Sequence, residues 1–192
     1  MASSRGLDRL LALSDATVAI AMTLLILPLV EIAQEVDDHP VGEFLDDHSF
    51  ALISFALSFV VISVFWRNHH QMYEDVERSS SALIRANLLW LAAIVFLPFP
   101  TELLGADHDQ RLTHGIYVGT LLVASAAQSV QKWLILRDAG TAPPIRGDLI
   151  SLALIAIAFV IVVGIPAIGL WGLLVLLLAG PVGRLLKART PA

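Results

Sequence analysis

Six apolar segments, each long enough to cross a lipid bilayer as an α-helix, follow one another along this chain. A spanning helix needs about 20 mainly apolar residues. Backbone polar groups inside a bilayer have no water to bond with, so apolar segments of this length fold as helices there. The sequence therefore predicts an all-α, polytopic bundle of six transmembrane helices, at about residues 7–32, 43–67, 81–104, 112–136, 148–165 and 167–187.

The composition supports a membrane location for the whole chain. Charged residues make up 15% of its 192 residues, against roughly 25% in an ordinary soluble domain. The mean hydropathy is +0.78, and a chain this apolar would expose large hydrophobic patches in water. The loops are short and polar, which predicts one domain over residues 1–192. Asp15 interrupts the first apolar run, so we expect a retained helix there and not a cleaved signal peptide.

The basic residues are distributed unequally between the two ends of the predicted helices. In a six-helix arrangement, every Lys and Arg except Arg111 falls at the end that holds both termini, whereas acidic residues concentrate at the opposite end. Cytoplasmic loops carry the excess of Lys and Arg in membrane proteins. We therefore expect both termini in the cytoplasm, with the chain in the inner (plasma) membrane of a bacterium.

The first helix contains ionisable residues that are expensive to bury in a membrane. Arg9 and Asp15 are six positions apart, about 240° around a helix, so they do not face each other. We expect them to find partners on other helices, which would satisfy each polar group away from water. The cluster either pins three helices together or takes part in gating. Its predicted members are Arg9, Ser14, Asp15, Trp66, His69, His70 and Asn87.

Residues spaced by three or four positions form a stripe along the first helix. The stripe consists of Leu13, Ala16, Ile20, Thr23, Leu27 and Glu31. By itself such a stripe is typical of helix packing. If several copies of the helix surrounded an axis, Thr23 would form a hydroxyl ring, and Ile20 and Leu27 would form hydrophobic constrictions. Glu31 would then lie at the outer mouth and attract cations.

Three motifs give the sequence a family resemblance. RLLALSD at residues 9–15, FWRNHHQMY at 65–73 and NLLWLAAIVFLPFPTELLG at 87–105 resemble motifs of the transmembrane protein 175 family of potassium channels. Leu13 departs from the pattern, since the family usually has Phe there. The resemblance implies a homotetramer whose central pore is lined by helix one. It also implies that Ile20 and Leu27 constrict the pore and that Thr23 supplies its hydroxyl position.

These observations predict a potassium-selective channel that conducts passively through the helix-one pore. A proton-permeable cation leak channel and an ion-coupled secondary transporter remain alternatives. The expected partners are K⁺, the lipid bilayer and further copies of the chain, with no nucleic acid, cofactor or resident metal. Histidines near the outer helix ends leave zinc binding open. The chain carries no motif of an enzyme active site and lacks the filter pentapeptide TVGYG, so neither catalysis nor a carbonyl-lined filter is expected.

Overall fold

The computed structural model describes residues 4–34, 40–77, 79–106 and 111–140, all in helices and short connections. The helices are α1 (Ser4–Leu24), α2 (Leu27–Ile32), α3 (Val41–Asp47), α4 (Ser49–Tyr73), α5 (Ser81–Phe96), α6 (Pro98–Ala106) and α7 (Arg111–Asp138). The predicted helices at 148–165 and 167–187 lie outside the described residues. Within the described part, three stretches are long and apolar enough to cross a membrane: Arg5–Ile32, Ser49–Tyr73 and Ser81–Ala106.

Prolines interrupt the first and third predicted helices. Pro28 has no N–H, and its ring disfavours a helical approach to the carbonyl of Leu24, so α1 ends there and α2 begins after a turn. Pro98 has the same effect in the third span, where α5 ends at Phe96 and α6 begins at the proline itself. The two predicted spans at 7–32 and 81–104 are therefore each built from two consecutive helices.

The second predicted helix differs from the structure at both ends. Its outer end forms the separate helix α3, and its inner end continues from Arg67 to Tyr73. The segment after Arg67 is polar, but it stays helical because His69 and Tyr73 are buried among neighbouring helices. The hydropathy pattern therefore marks the apolar part of α4, whereas packing decides where the helix ends. The fourth predicted helix, 112–136, agrees with α7 to within two residues at each end.

The helices pack around a large core and a smaller one. α7 packs most extensively on α5, α4 packs on α6, and α1 lies mainly against α5. The smaller core joins one end of α1, α4, α5 and α7 through Leu7, Tyr73, Leu83, Ala86 and Leu134. The larger core contains Val18, Ala21, Leu25, Leu57, Ile62, Trp90, Leu91, Ala93, Ile94, Leu97, Leu104, Tyr117, Val118, Leu121, Ala124 and Ala127.

Close packing of α6 on α4 depends on a glycine. A Cβ added at Gly105 would lie 3.1 Å from Cα of Ala51, whereas a Cβ at Gly42 on α3 would meet no atom within 4 Å. Small residues allow membrane helices to approach closely.

We predict that Gly105→Val destabilises the protein by about 1–3 kcal/mol, because the added methyl groups force α6 away from Ala51. Gly42→Val is the matched control and should change stability little. Thermal unfolding of the purified protein in detergent, followed by tryptophan fluorescence, measures both. Equal midpoints for the two variants would contradict the packing argument.

Candidate functional site: helix one and its polar anchor

Helix α1 has one face in the protein core and another face outside it. Its buried residues are Leu7, Ser14, Val18, Ala21 and, just beyond its end, Leu25. The six residues of the predicted stripe are all exposed, with exposed fractions of 52% for Leu13, 60% for Ile20 and 52% for Leu27. The exposed face is broader than the stripe, since it also includes Leu24. An apolar face of this size needs lipid or protein against it.

Thr23 places a hydroxyl oxygen within this exposed face. Its Oγ1 donates a hydrogen bond to the carbonyl oxygen of Ile20, at 2.8 Å. The hydroxyl has one hydrogen and two acceptor lone pairs. Because the hydrogen is used within the helix, the oxygen lone pairs remain for a donor or a cation outside it. A hydroxyl held in this way has the polarity required of a cation ligand.

Glu31 lies on α2 beside a cavity of about 580 Å³. The cavity is bounded by α2, the α3–α4 junction and α6, and its lining includes the acidic residues Glu31, Asp47 and Glu102. Acidic residues from three separate helices therefore lie around one cavity at one end of the described bundle. The sequence predicted an acidic outer end, but it did not predict that Glu31 would share a cavity with Glu102 of α6.

A chain of buried hydrogen bonds joins α4, α5 and α1. The amide oxygen of Asn87 lies 2.7 Å from Nε2 of His69, and its Nδ2 donates to Oγ of Ser14 at 2.9 Å. Ser14 in turn donates to the carbonyl of Leu10 at 2.9 Å. Since a carbonyl oxygen can only accept, Nε2 of His69 carries the hydrogen in this arrangement. Each group therefore donates to the next one, from the imidazole of His69 through Asn87 and Ser14 to the carbonyl of Leu10.

His69 is held in place by aromatic rings as well as by Asn87. Its ring stacks on Trp90, with centroids 4.2 Å apart and an interplanar angle of 9°. The ring of Tyr73, one helical turn further along α4, lies 4.6 Å away. Trp90 is wholly buried and His69 is 1% exposed. The packed rings leave little freedom for the imidazole to turn away from Asn87.

A second connection reaches α1 at the next residue. Nε1 of Trp66 donates to Oδ1 of Asp15 at 2.9 Å, and the Trp66 ring stacks on His70 at 5.6 Å. These groups are exposed on the single subunit. Arg9 is also exposed, and no partner for its guanidinium is found among the described residues. The structure therefore brings together every member of the predicted cluster except Arg9, in two connections that end at Ser14 and Asp15.

Sequence reasoning missed a hydroxyl cluster in the half of the described bundle away from the His69–Asn87 hydrogen bond. Oγ of Ser58 lies 3.0 Å from the hydroxyl of Tyr117 and 2.8 Å from Oγ1 of Thr101, which lies 2.8 Å from the carbonyl of Leu97. All three side chains are buried. The only signal was their polarity within apolar segments, since nothing in the spacing relates residues on α4, α6 and α7 to one another.

The His, Asp and Glu side chains of the described residues lie apart from one another. Within those residues, no three His, Asp or Glu side chains are grouped closely enough to hold a metal ion. The histidines near the predicted outer helix ends are His39, His48, His108 and His114, and two of these, His39 and His108, lie outside the described residues.

We predict that Asp15→Ala chiefly lowers the yield of assembled protein. The substitution removes the hydrogen bond from the indole N–H of Trp66 that joins α4 to α1, worth about 0.5–1.5 kcal/mol. Asp8→Ala removes an exposed carboxylate from the same helix and is the control. The measurement is the assembled fraction after membrane extraction, by size-exclusion chromatography. A normal yield for Asp15→Ala would refute this role.

Comparison with known proteins places these features in a family. The sequence profile of the family described as "Endosomal/lysosomal potassium channel TMEM175" matches residues 9–98. A potassium channel from Streptomyces collinus is 32% identical over 170 residues, which cover 82% of this chain and 81% of that protein. An endosomal/lysosomal proton channel TMEM175 from Danio rerio is 24% identical over 128 residues, which cover 67% of this chain and 25% of that protein.

A solved structure is similar over nearly the whole length. The crystal structure of a lysosomal potassium-selective channel TMEM175 homolog from Chamaesiphon minutus matches with a TM-score of 0.71 and 25% identity. The match covers 95% of this chain and 98% of that chain. Profile, sequence and structure therefore agree, and this multi-pass membrane protein belongs to the TMEM175 family.

Proposed function

We propose that this chain is the subunit of a potassium-selective cation channel, and that four copies surround a pore lined by helix one. The relatives from Streptomyces collinus and Chamaesiphon minutus are named as potassium channels. The observation that carries the proposal is that the stripe, which runs along α1 and α2, is exposed along its entire length while the opposite face of α1 is anchored in the core. A helix held in this way can present the stripe to a shared axis.

Rings of the stripe residues would account for passive, selective conduction. Ile20 on α1 and Leu27 at the start of α2 are bulky and exposed, so each would form an apolar constriction. Apolar constrictions can gate a pore by dewetting. Thr23 lies between them, and its oxygen lone pairs would replace part of the hydration shell of an ion. We assign the preference for potassium to the ring that the Thr23 hydroxyls of the four copies would form.

The charges at the two ends support an orientation in the membrane. The smaller core places the start of α1, the α4–α5 connection and the end of α7 at one end of the described bundle. This end carries Arg5, Arg9, Arg67, Arg85, Lys132 and Arg137. We assign it to the cytoplasm of a bacterial cell, in agreement with the excess of Lys and Arg in cytoplasmic loops. The carboxylates of the cavity would then attract cations from outside.

Proton permeation is the second candidate function. Three relatives from animals, including Danio rerio, are named as proton channels. A proton-permeable channel would shift its reversal potential with a pH gradient at fixed K⁺, whereas a potassium-selective channel would follow the K⁺ gradient. An ion-coupled transporter would instead move one ion against its gradient when a second gradient is imposed. Recordings from the purified protein in lipid bilayers separate the three.

We predict that Ile20→Asn raises the leak conductance or relaxes selectivity, because a polar amide lets water occupy an apolar constriction. Ile53→Asn makes the same change at an exposed position of α4 and is the control. Currents across planar bilayers with equal amounts of assembled protein provide the measurement. Unchanged currents in Ile20→Asn would exclude this residue from the pore.

We predict that Thr23→Ala weakens the preference for potassium over sodium, because it removes the oxygen offered to the ion. Thr120→Ala is the control, since the Thr120 hydroxyl also bonds to a carbonyl of its own helix, Ile116, at 2.8 Å. Reversal potentials under opposed potassium and sodium gradients measure the preference. An unaltered reversal potential in Thr23→Ala would remove this residue from the selectivity site.

A further inference from the structure

We propose that Gln128 and Gln131 of α7 are positioning residues that fix the rotation of helix one about its own axis. The inference rests on the proposed function, in which one face of that helix lines the pore. Both glutamines bond to α4, and Gln131 also lies against α5. These two helices in turn bond to Asp15 and Ser14 of α1. The profile match to the family ends at residue 98, before α7 begins.

Two series of contacts, called routes here, connect α7 to α1. The first route starts at Gln131, which is wholly buried. Its Oε1 accepts a hydrogen bond from the hydroxyl of Tyr73 at 2.9 Å, and its Nε2 lies 3.5 Å from the carbonyl of Ala86. Tyr73 packs against His69, and Ala86 immediately precedes Asn87. Gln131 therefore holds the two residues next to the His69–Asn87 hydrogen bond. The route continues through the side-chain amide of Asn87 and ends at its hydrogen bond to Ser14.

The second route starts one turn earlier on the same helix. Nε2 of Gln128 donates to the backbone carbonyl of Phe65 at 3.0 Å. The next residue of α4 is Trp66, whose indole N–H reaches Asp15. The two routes therefore leave α7 one turn apart and arrive at adjacent residues of α1. Adjacent residues point about 100° apart around a helix, so two such attachments oppose rotation in either direction.

Helix α7 is suited to hold α4 and α5 in place, and through them helix α1. Its packing on α5 is the most extensive between any two described helices, whereas α1 packs on α5, α4 and α6. Its influence on α1 therefore passes through α4 and α5. An amide buried without partners is costly in an apolar environment, so the glutamines favour the one arrangement that satisfies them.

Cysteine chemistry can test this inference directly, because the chain contains no native cysteine. Thr23→Cys and Leu24→Cys are made one at a time, since Thr23 belongs to the stripe and its exposed neighbour Leu24 points about 100° away from it. A membrane-impermeant cationic methanethiosulfonate then modifies assembled protein in phosphatidylcholine–phosphatidylglycerol vesicles. The ratio of the two modification rates reports the rotation of helix one. It is measured in the parent and with Gln128→Leu, Gln131→Leu or Val130→Leu added.

We expect either glutamine substitution to change the rate ratio about fivefold, which corresponds to the loss of one hydrogen bond. Val130→Leu alters an exposed residue between them and should leave the ratio unchanged. If Gln131→Leu does not assemble, Tyr73→Phe removes only the hydroxyl from the same bond and should change the ratio in the same direction. An unchanged ratio in the assembled glutamine variants, or in Tyr73→Phe where they do not assemble, would overturn the inference.

A double variant separates positioning from general stability. Tyr73→Phe with Gln131→Leu removes both polar partners, so neither is stranded and assembly should recover. The rate ratio should stay shifted, because the link between α7 and α4 is still missing. Recovery of the ratio together with assembly would show a merely structural role and overturn the inference. If Thr23→Cys is unreactive in the parent, the proposed pore fails, whereas reactivity with an unchanged ratio rejects only the role of the glutamines.

Discussion

Polar groups inside an apolar bundle must satisfy one another, and in this protein Asn87 is where that requirement is met. Its side chain accepts from His69 and donates to Ser14, so one amide joins α4, α5 and α1. In a medium of low dielectric, a stranded amide or imidazole is costly, and networks of this kind favour a single arrangement. The position of helix one follows from this interaction together with the adjacent bond between Trp66 and Asp15.

The anchor explains how a helix can be both fixed and exposed. The first span, which consists of α1, a turn and α2, buries Val18, Ala21 and Leu25 on one side and leaves Ile20, Thr23 and Leu27 exposed on the other. The apolar contacts hold the helix against its neighbours, but they are non-directional and tolerate rotation. The hydrogen bonds at Ser14 and Asp15 are directional and supply the missing constraint. In the proposed tetramer, this orientation would decide which residues meet the axis.

The two hydrogen-bonded regions divide the bundle along its length. The hydroxyls of Ser58, Thr101 and Tyr117 connect α4, α6 and α7 in one half. The other half depends on amides, an indole and an imidazole, and its hydrogen bonds reach α1 at Ser14 and Asp15. Pro98 lies between the two regions on the third span, where it divides α5 from α6. The same span therefore contributes an amide to one region and a hydroxyl to the other.

The sequence by itself determined the membrane class, the apolar spans and the family. Hydropathy, charge and short motifs are properties of contiguous segments, so they can be recognised without knowing the fold. It also determined that Ser14, Asp15 and Asn87 would need polar partners. Only the tertiary structure decided which partners they find, and it left Arg9 outside the connected groups. The glutamines of α7 and the hydroxyls of Ser58, Thr101 and Tyr117 could not be paired from sequence. Their contacts depend on the relative rotation and depth of separate helices, and no periodicity within one helix encodes that relation.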